Sequence, residues 1–330
     1  MTKQTRIKFF VFLLIAKVSF SAFAQTVPTF EALHGAAREF STAMALSLPL
    51  NASLGLNWSD AYIGQFFPSL VPSFGIGGSY GVTSMDRGIM ESLATPLGLG
   101  GRLPNVARFP FPGYTAEARI GGFFLPFDVG VKFGHLGPVR NPFGGRDALR
   151  VNYTMIGADI RYAVLYRPLL PTISVGFGFN YLTGGIGGGV GASQAFSFVS
   201  GGETRTVSIA APQVDLNWRT FSFDFKAQIS QSFLLVTPFM GIGASYARSR
   251  AGFEMSGDVT GDFGYLAAGE LHDINVTGGG LSSQVYTNAF SARLFGGIGF
   301  TMGVFRLDFT GIYSFRDGNY GASVGLRFQL

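Results

Sequence analysis

Three histidines, His34, His135 and His272, are the side chains whose ordinary pKa lets them exchange protons near neutral pH. A serine hydrolase built on one of them needs the ring within reach of a serine and oriented by a third group. Spacing singles out no such set: His34 falls on a helical pattern, His135 ends a strand pattern, and His272 lies in a long connection. The run Gly184-Gly185-Ile186-Gly187-Gly188-Gly189 lacks the Gly-Lys-Ser/Thr ending of a phosphate loop and reads as a flexible strand end. Asp258, Asp262, Glu270 and Asp273 crowd a stretch free of Lys and Arg. Their spacing matches no calcium loop, and they read as a solvated loop. With no cysteine, thiolate nucleophiles and Cys-ligated metals are excluded. No catalytic residue, metal or cofactor is expected.

The remaining charges follow a different order. Glu117, Arg119, Asp128, Lys132, Asp159, Arg161, Asp215, Arg219, Asp224, Lys226, Arg293, Arg306, Asp308 and Arg327 occupy the polar positions of segments that alternate with period two. Ile156, Ala158, Ile160, Tyr162 and Val164, for example, face away from Asp159 and Arg161. Such alternation predicts strands with one apolar and one polar face. Mixed signs suit a closed lumen wall, where neighbouring strands pair opposite charges. Tyr80, Tyr114, Tyr162, Tyr181, Tyr246, Tyr286, Tyr313 and Tyr320 share the apolar phase, mostly near strand ends, as in a girdle at a lipid–water boundary. Between Trp218 and Phe221 the apolar set changes phase, which predicts a bulge near Arg219-Thr220. The last twelve residues alternate without exception, Tyr320, Ala322, Val324, Leu326, Phe328 and Leu330 on one face. Order up to a chain end is what a closed barrel requires, because its last strand pairs with its first.

Charged residues make up 13% of the 330, against about 25% in ordinary soluble domains, and 35 phenylalanines exceed what a wetted surface hides. Residues 1–24 have the parts of a signal peptide: Lys3, Arg6 and Lys8, the apolar run Phe9 to Ile15, and Ala22-Phe23-Ala24. Without Lys3, Arg6, Lys8 and Lys17 the formal +5 falls to 20 bases against 19 acids, so nucleic acid is not an expected partner. Phe30, Leu33, Ala37, Phe40 and Met44 predict an amphipathic helix over about 30–45, capped by Thr29. The expected organisation is a signal peptide over 1–24, a helical segment over 25–47 placed in the periplasm or as a plug, and a barrel over 48–330. Ten strands begin near residue 73, with a further segment near 48–58, so ten or twelve in all. Short turns near 123–127, 166–171, 230–233 and 301–304 alternate with long connections near 84–113, 136–150, 185–210 and 256–284, the rhythm of periplasmic turns and extracellular loops. The connection 84–113 is apolar, and Met85, Met90, Leu93, Leu97, Phe109 and Phe111 are candidates for a lid folded into the barrel mouth.

The signal peptide, this strand–turn–strand–loop rhythm and the closing Gly321, Val324, Leu326, Phe328 series resemble bacterial outer-membrane β-barrel proteins. A helix ahead of the barrel is similar to fatty-acid-transporter-type porins. The resemblance implies an antiparallel up-and-down transmembrane barrel in a Gram-negative outer membrane, with lipid and the barrel-insertion machinery as partners through the last strand. That strand commonly ends in an aromatic; here Leu330 ends it and Phe328 stands two positions earlier. The function implied is passive uptake of a small, perhaps apolar, solute through a narrow lumen. The alternatives are a non-conducting surface barrel whose long loops bind a partner, and, more remotely, a membrane-embedded hydrolase.

Overall fold

The computed structural model describes residues 30–64, 72–88, 91, 107–122, 125–140, 150–167, 169–189, 194–200, 203–209, 213–261 and 274–330. The predicted signal peptide, the lid candidates Met90, Leu93 and Leu97, and His272 lie outside them.

Among the described residues one helix, α1 (Phe30–Ala52), precedes twelve antiparallel strands. These are β1 (Ser73–Asp86), β2 (Arg108–Gly121), β3 (Phe127–Arg140), β4 (Arg150–Leu165), β5 (Thr172–Gly189), β6 (Gln194–Ser200), β7 (Glu203–Ile209), β8 (Gln213–Ser230), β9 (Val236–Gly261), β10 (Ile274–Met302), β11 (Phe305–Ser314) and β12 (Tyr320–Gln329). Ten of them, all but β6 and β7, close into a barrel, because β9 pairs with β10 and β12 pairs with β1. The β6–β7 hairpin hangs on the far end of β9, from Val207↔Gly261 to Ile209↔Val259. The seam runs to the last residue: Phe74 and Leu330 exchange both backbone hydrogen bonds, at 3.1 and 2.8 Å. The terminus is therefore ordered because the first strand has no other partner on that side.

Strand lengths are unequal. Strands β11 and β12 have ten residues each, about what crosses a bilayer, whereas β9 has 26 and β10 has 29. The excess forms a tall extension at the end opposite the short turns. Much of the stretches 185–210 and 256–284, expected as loops, is therefore strand, held by backbone pairing of residues too small to give an apolar signature.

Along the barrel the two faces exchange roles. At mid-height the outward side chains are large and apolar, such as Val131 at 51%, Phe225 at 62% and Ile242 at 62% exposed. That belt is the surface a hydrocarbon layer would cover. In the extension the inward side chains are the apolar ones: Met85, Phe111, Tyr153, Met155, Leu182, Trp218 and Phe253 pack around Phe40, Met44 and Leu48 of α1. The outward ones there are polar. Water replaces lipid outside, so the dry side moves inside. Strand β8 crosses this boundary without a bulge, its register to β5 and β9 unbroken from Gln213 to Ser230. The phase change near Arg219-Thr220 is thus a change of surroundings and not of geometry. Val214, Leu216 and Trp218 point inward, and Asp215 and Arg219 point outward.

Helix α1 runs on to Ala52, past Pro49, where the sequence pattern had suggested a switch to strand. Phe40, Met44, Leu48 and Ala52 repeat at four-residue spacing against the extension, while Leu50 and Leu54 meet Phe239, Phe295 and Ile312 on the other side. From Leu48 to Ala52 every residue of the helix is buried, so its last turn has no polar face to mark the period, which hides its end from a pattern search.

Candidate functional site

The site is the lumen and the chain inside it. After α1, residues 53–63 run as irregular backbone down the barrel axis, every one of them buried. Gly55 (φ 82°) and Leu56 (φ 57°) both take the left-handed region, which suits the glycine and strains the leucine. Leu56 is held there by its amide, which donates to Glu117 Oε2 at 2.9 Å, and by its carbonyl, which accepts from Lys226 Nζ at 3.2 Å.

Irregular backbone at membrane depth needs a partner for each polar group, since lipid offers none. The wall supplies them residue by residue. Lys132 Nζ donates to the carbonyls of Ala52 (2.7 Å) and Leu54 (2.5 Å). Gln228 Nε2 donates to Trp58 O (2.7 Å), and Arg161 Nη1 to Asp60 O (2.7 Å). The amide of Ala61 donates to Ser230 Oγ and that of Ile63 to Asp128 Oδ2, both at 2.9 Å. At the short-turn end Tyr166 donates its hydroxyl to Gly64 O at 2.7 Å. Burial, reinforced by the charge of Asp60, pushes the Tyr166 phenol above its ordinary value, so it remains a donor at physiological pH.

Two plug side chains anchor this segment. The Trp58 indole N–H donates to Glu117 Oε2 at 2.7 Å, and its ring lies 4.6 Å from the Arg327 guanidinium and 5.4 Å from that of Arg119. Asp60 accepts from Arg327 at 2.8 Å and from Arg306 at 3.2 Å. The wall charges also pair with one another. Arg119 spans Asp128 (2.5 Å) and Asp159 (2.6 Å), Lys226 meets Asp159 at 2.5 Å, Arg293 meets Asp224 at 2.7 Å, and Arg327 contacts Asp308. Position 130 must be glycine for this, since a Cβ there would lie 2.6 Å from Arg119 Nη2 and 2.7 Å from Asp159 Oδ1. Two cavities between plug and wall measure about 20 Å³ each, room for about one water apiece.

A sequence model described as Lsa36-like matches residues 122–330, from the end of β2 through the last strand. The chain belongs to the Lsa36-like family. A search of curated proteins found no match. Among solved structures, the outer-membrane protease OmpT of Escherichia coli is similar over 82% of this chain and 100% of its own, at 9% identity and TM-score 0.40. The translocator domain of the autotransporter NalP of Neisseria meningitidis covers 92% of this chain and 100% of its own, at 10% identity and TM-score 0.32. The attachment invasion locus protein Ail of Yersinia pestis covers 78% and 97%, at 11% identity and TM-score 0.28.

In this Lsa36-like chain twelve of the fourteen lumen candidates face inward: Glu117, Arg119, Asp128, Lys132, Asp159, Arg161, Asp224, Lys226, Arg293, Arg306, Asp308 and Arg327. Asp215 and Arg219 do not; they stand on the outer face above the lipid belt, Asp215 at 3.4 Å from Arg150. Met85, Phe109 and Phe111 are not loop residues either, since β1 and β2 carry them into the apolar cluster of the extension. His135 is exposed and 3.0 Å from Thr154 Oγ1. Sequence reasoning missed Trp58, Asp60, Gln228 and Ser230. The Asn57-Trp58-Ser59-Asp60 run, three polar residues around one tryptophan, was the available sign that 48–58 is no lipid-facing strand.

Proposed function

We propose that this is an outer-membrane surface protein, a barrel held shut by its own N-terminal segment, which binds a partner outside the cell through the extension of β8, β9 and β10. The observation that carries the reading is the continuous occupation of the lumen from Phe40 to Gly64, with the wall's charges spent on the plug's backbone. A conduction path would need those same groups to face water. Passive uptake, the function implied by the porin-like resemblance, therefore gives way to the surface-barrel alternative.

Outer-membrane placement is supported by the closed strand order and the apolar belt, and orientation by the short turns, which belong on the periplasmic side. Around the belt lies lipid, and β12 is the strand offered to the insertion machinery. In this orientation α1 enters from the extracellular mouth, where Arg38 and Glu39 are exposed beyond the apolar cluster. No catalytic role is assigned to any residue.

Cells carrying the protein with residues 257–280 replaced by a tight turn are expected to keep the barrel, seen as heat-modifiable migration on a detergent gel, and to lose partner or cell attachment. Attachment undiminished by that replacement would overturn the reading.

A further inference from the structure

The outward face of β3 to β10 changes character within one row of the register. Phe133, Ile156, Tyr181 and Phe221 lie side by side at the upper edge of the lipid belt. One step higher the same strands present His135, Thr154, Thr183, Arg219, Arg250 and Tyr286 in continuous register. Arg219 and Arg250 are direct cross-strand partners, an arrangement that is unfavourable unless an anion lies between them. Arg248 adds a third outward guanidinium one row lower, opposite Phe221. Among the described residues no carboxylate pairs with any of the three; Arg250 has only the Tyr286 ring, 5.5 Å away.

Above this row the outer face is hollow. A cavity of about 730 Å³ opens there, bordered by Arg219, Arg250 and His135 on its membrane side. Gly137 and Gly252 leave it without side chains at two places, Asn152, Asn217 and Gln284 offer amide donors and acceptors, and Glu254 lines it four residues along β9 from Arg250. The volume lies in the range of small-molecule sites. Its floor is continuous with the apolar belt, so the molecule it suits has acyl chains below and a polar, anionic head above.

We propose that this hollow binds the headgroup of a phosphorylated glycolipid of the outer leaflet. A phosphate sits between Arg219 and Arg250, sugar hydroxyls meet the amides, and the acyl chains lie on Phe221, Phe133 and their neighbours. Bidentate guanidinium contacts favour phosphate over other polar groups, and each arginine near an anionic lipid surface adds several-fold to affinity. The hollow lies at the base of the extension, outside the segment 257–280 used in the attachment test, and its place in the outer leaflet rests on the orientation proposed above.

The test uses the whole protein in detergent micelles, titrated with a diphosphorylated acyl-disaccharide and with the same lipid after phosphatase treatment. The phosphorylated lipid is expected to bind at least about tenfold more tightly than the dephosphorylated one, and Arg219→Gln/Arg250→Gln to lose that difference. Should the double variant lose heat-modifiable migration, the single variants replace it, each expected to lose about threefold. Arg219→Lys/Arg250→Lys, which keeps charge but not the fork, is expected to fall between. Equal binding of the two lipids, unchanged binding by the Gln variants, or full competition by inorganic phosphate at matched concentration would each overturn the proposal.

Discussion

Deletion of residues 30–64 is expected to turn a barrel that carries no ionic current into one that does. In planar bilayers the intact protein should give a flat baseline and the deleted form resolved steps. The helix and the chain from Ser53 to Ile63 occupy the axis of a ten-stranded barrel, a size at which wall side chains alone no longer fill the interior. Without them the wall would present Arg119, Lys132, Arg161, Lys226, Arg293, Arg306 and Arg327 against Glu117, Asp128, Asp159, Asp224 and Asp308. Seven cations against five carboxylates predict a preference for anions. Regular conductance steps from the intact protein, or an equally silent deletion that still migrates as a folded barrel, would contradict this.

The second large effect is expected at Asp128. Its Oδ1 accepts from Arg161 Nε (2.8 Å) and Arg119 Nη1 (2.5 Å), and its Oδ2 from Arg161 Nη2 (2.7 Å) and the Ile63 amide (2.9 Å). Asp128→Ala leaves buried Arg161 with no carboxylate and only the Asp60 carbonyl, leaves Arg119 with Asp159 alone, and strips the Ile63 amide of its acceptor. Breaking a buried ion pair from one side costs about 3–5 kcal/mol, because the abandoned charge remains out of water. Urea unfolding of the refolded protein in detergent should show that loss. Asp215→Ala is the control: its pair with Arg150 lies on the surface, with side chains 36% and 49% exposed, and is worth at most about 1 kcal/mol. Similar losses at the two positions would mean that the interior charges are solvated and that the plug does not exclude water.

The barrel was legible in the sequence wherever lipid dictates it. A hydrocarbon surround demands apolar side chains on one face only, so strands such as Ile156 to Val164 show unbroken alternation. Where the surround changes, the same rule misleads. Trp218 looks like a lipid-facing residue and is 5% exposed among interior side chains, because above the belt the apolar face is the inner one. Met85 and Phe111 looked like a lid for the same reason. The plug from Leu48 onward was the least legible part: a segment buried on every side carries no periodicity, and its partners are backbone groups that residue types do not advertise. What the sequence did show was the wall's half of the arrangement. Twelve charges of mixed sign on the inward phase mark the lumen wall, and the position of the peptide they hold comes only from the fold.

Disulfide trapping of the plug against the wall tests the central claim most directly, and the absence of native cysteine makes it unambiguous. Ser230 Oγ lies 2.9 Å from the Ala61 amide nitrogen, which sets positions 61 and 230 side by side across the plug–wall boundary. Ala61→Cys/Ser230→Cys is expected to oxidise to an intramolecular disulfide in the assembled outer membrane, leaving neither thiol open to a maleimide until the protein is reduced and unfolded. Two free thiols that react with a membrane-impermeant maleimide in the folded barrel would show that the lumen is not filled by this chain.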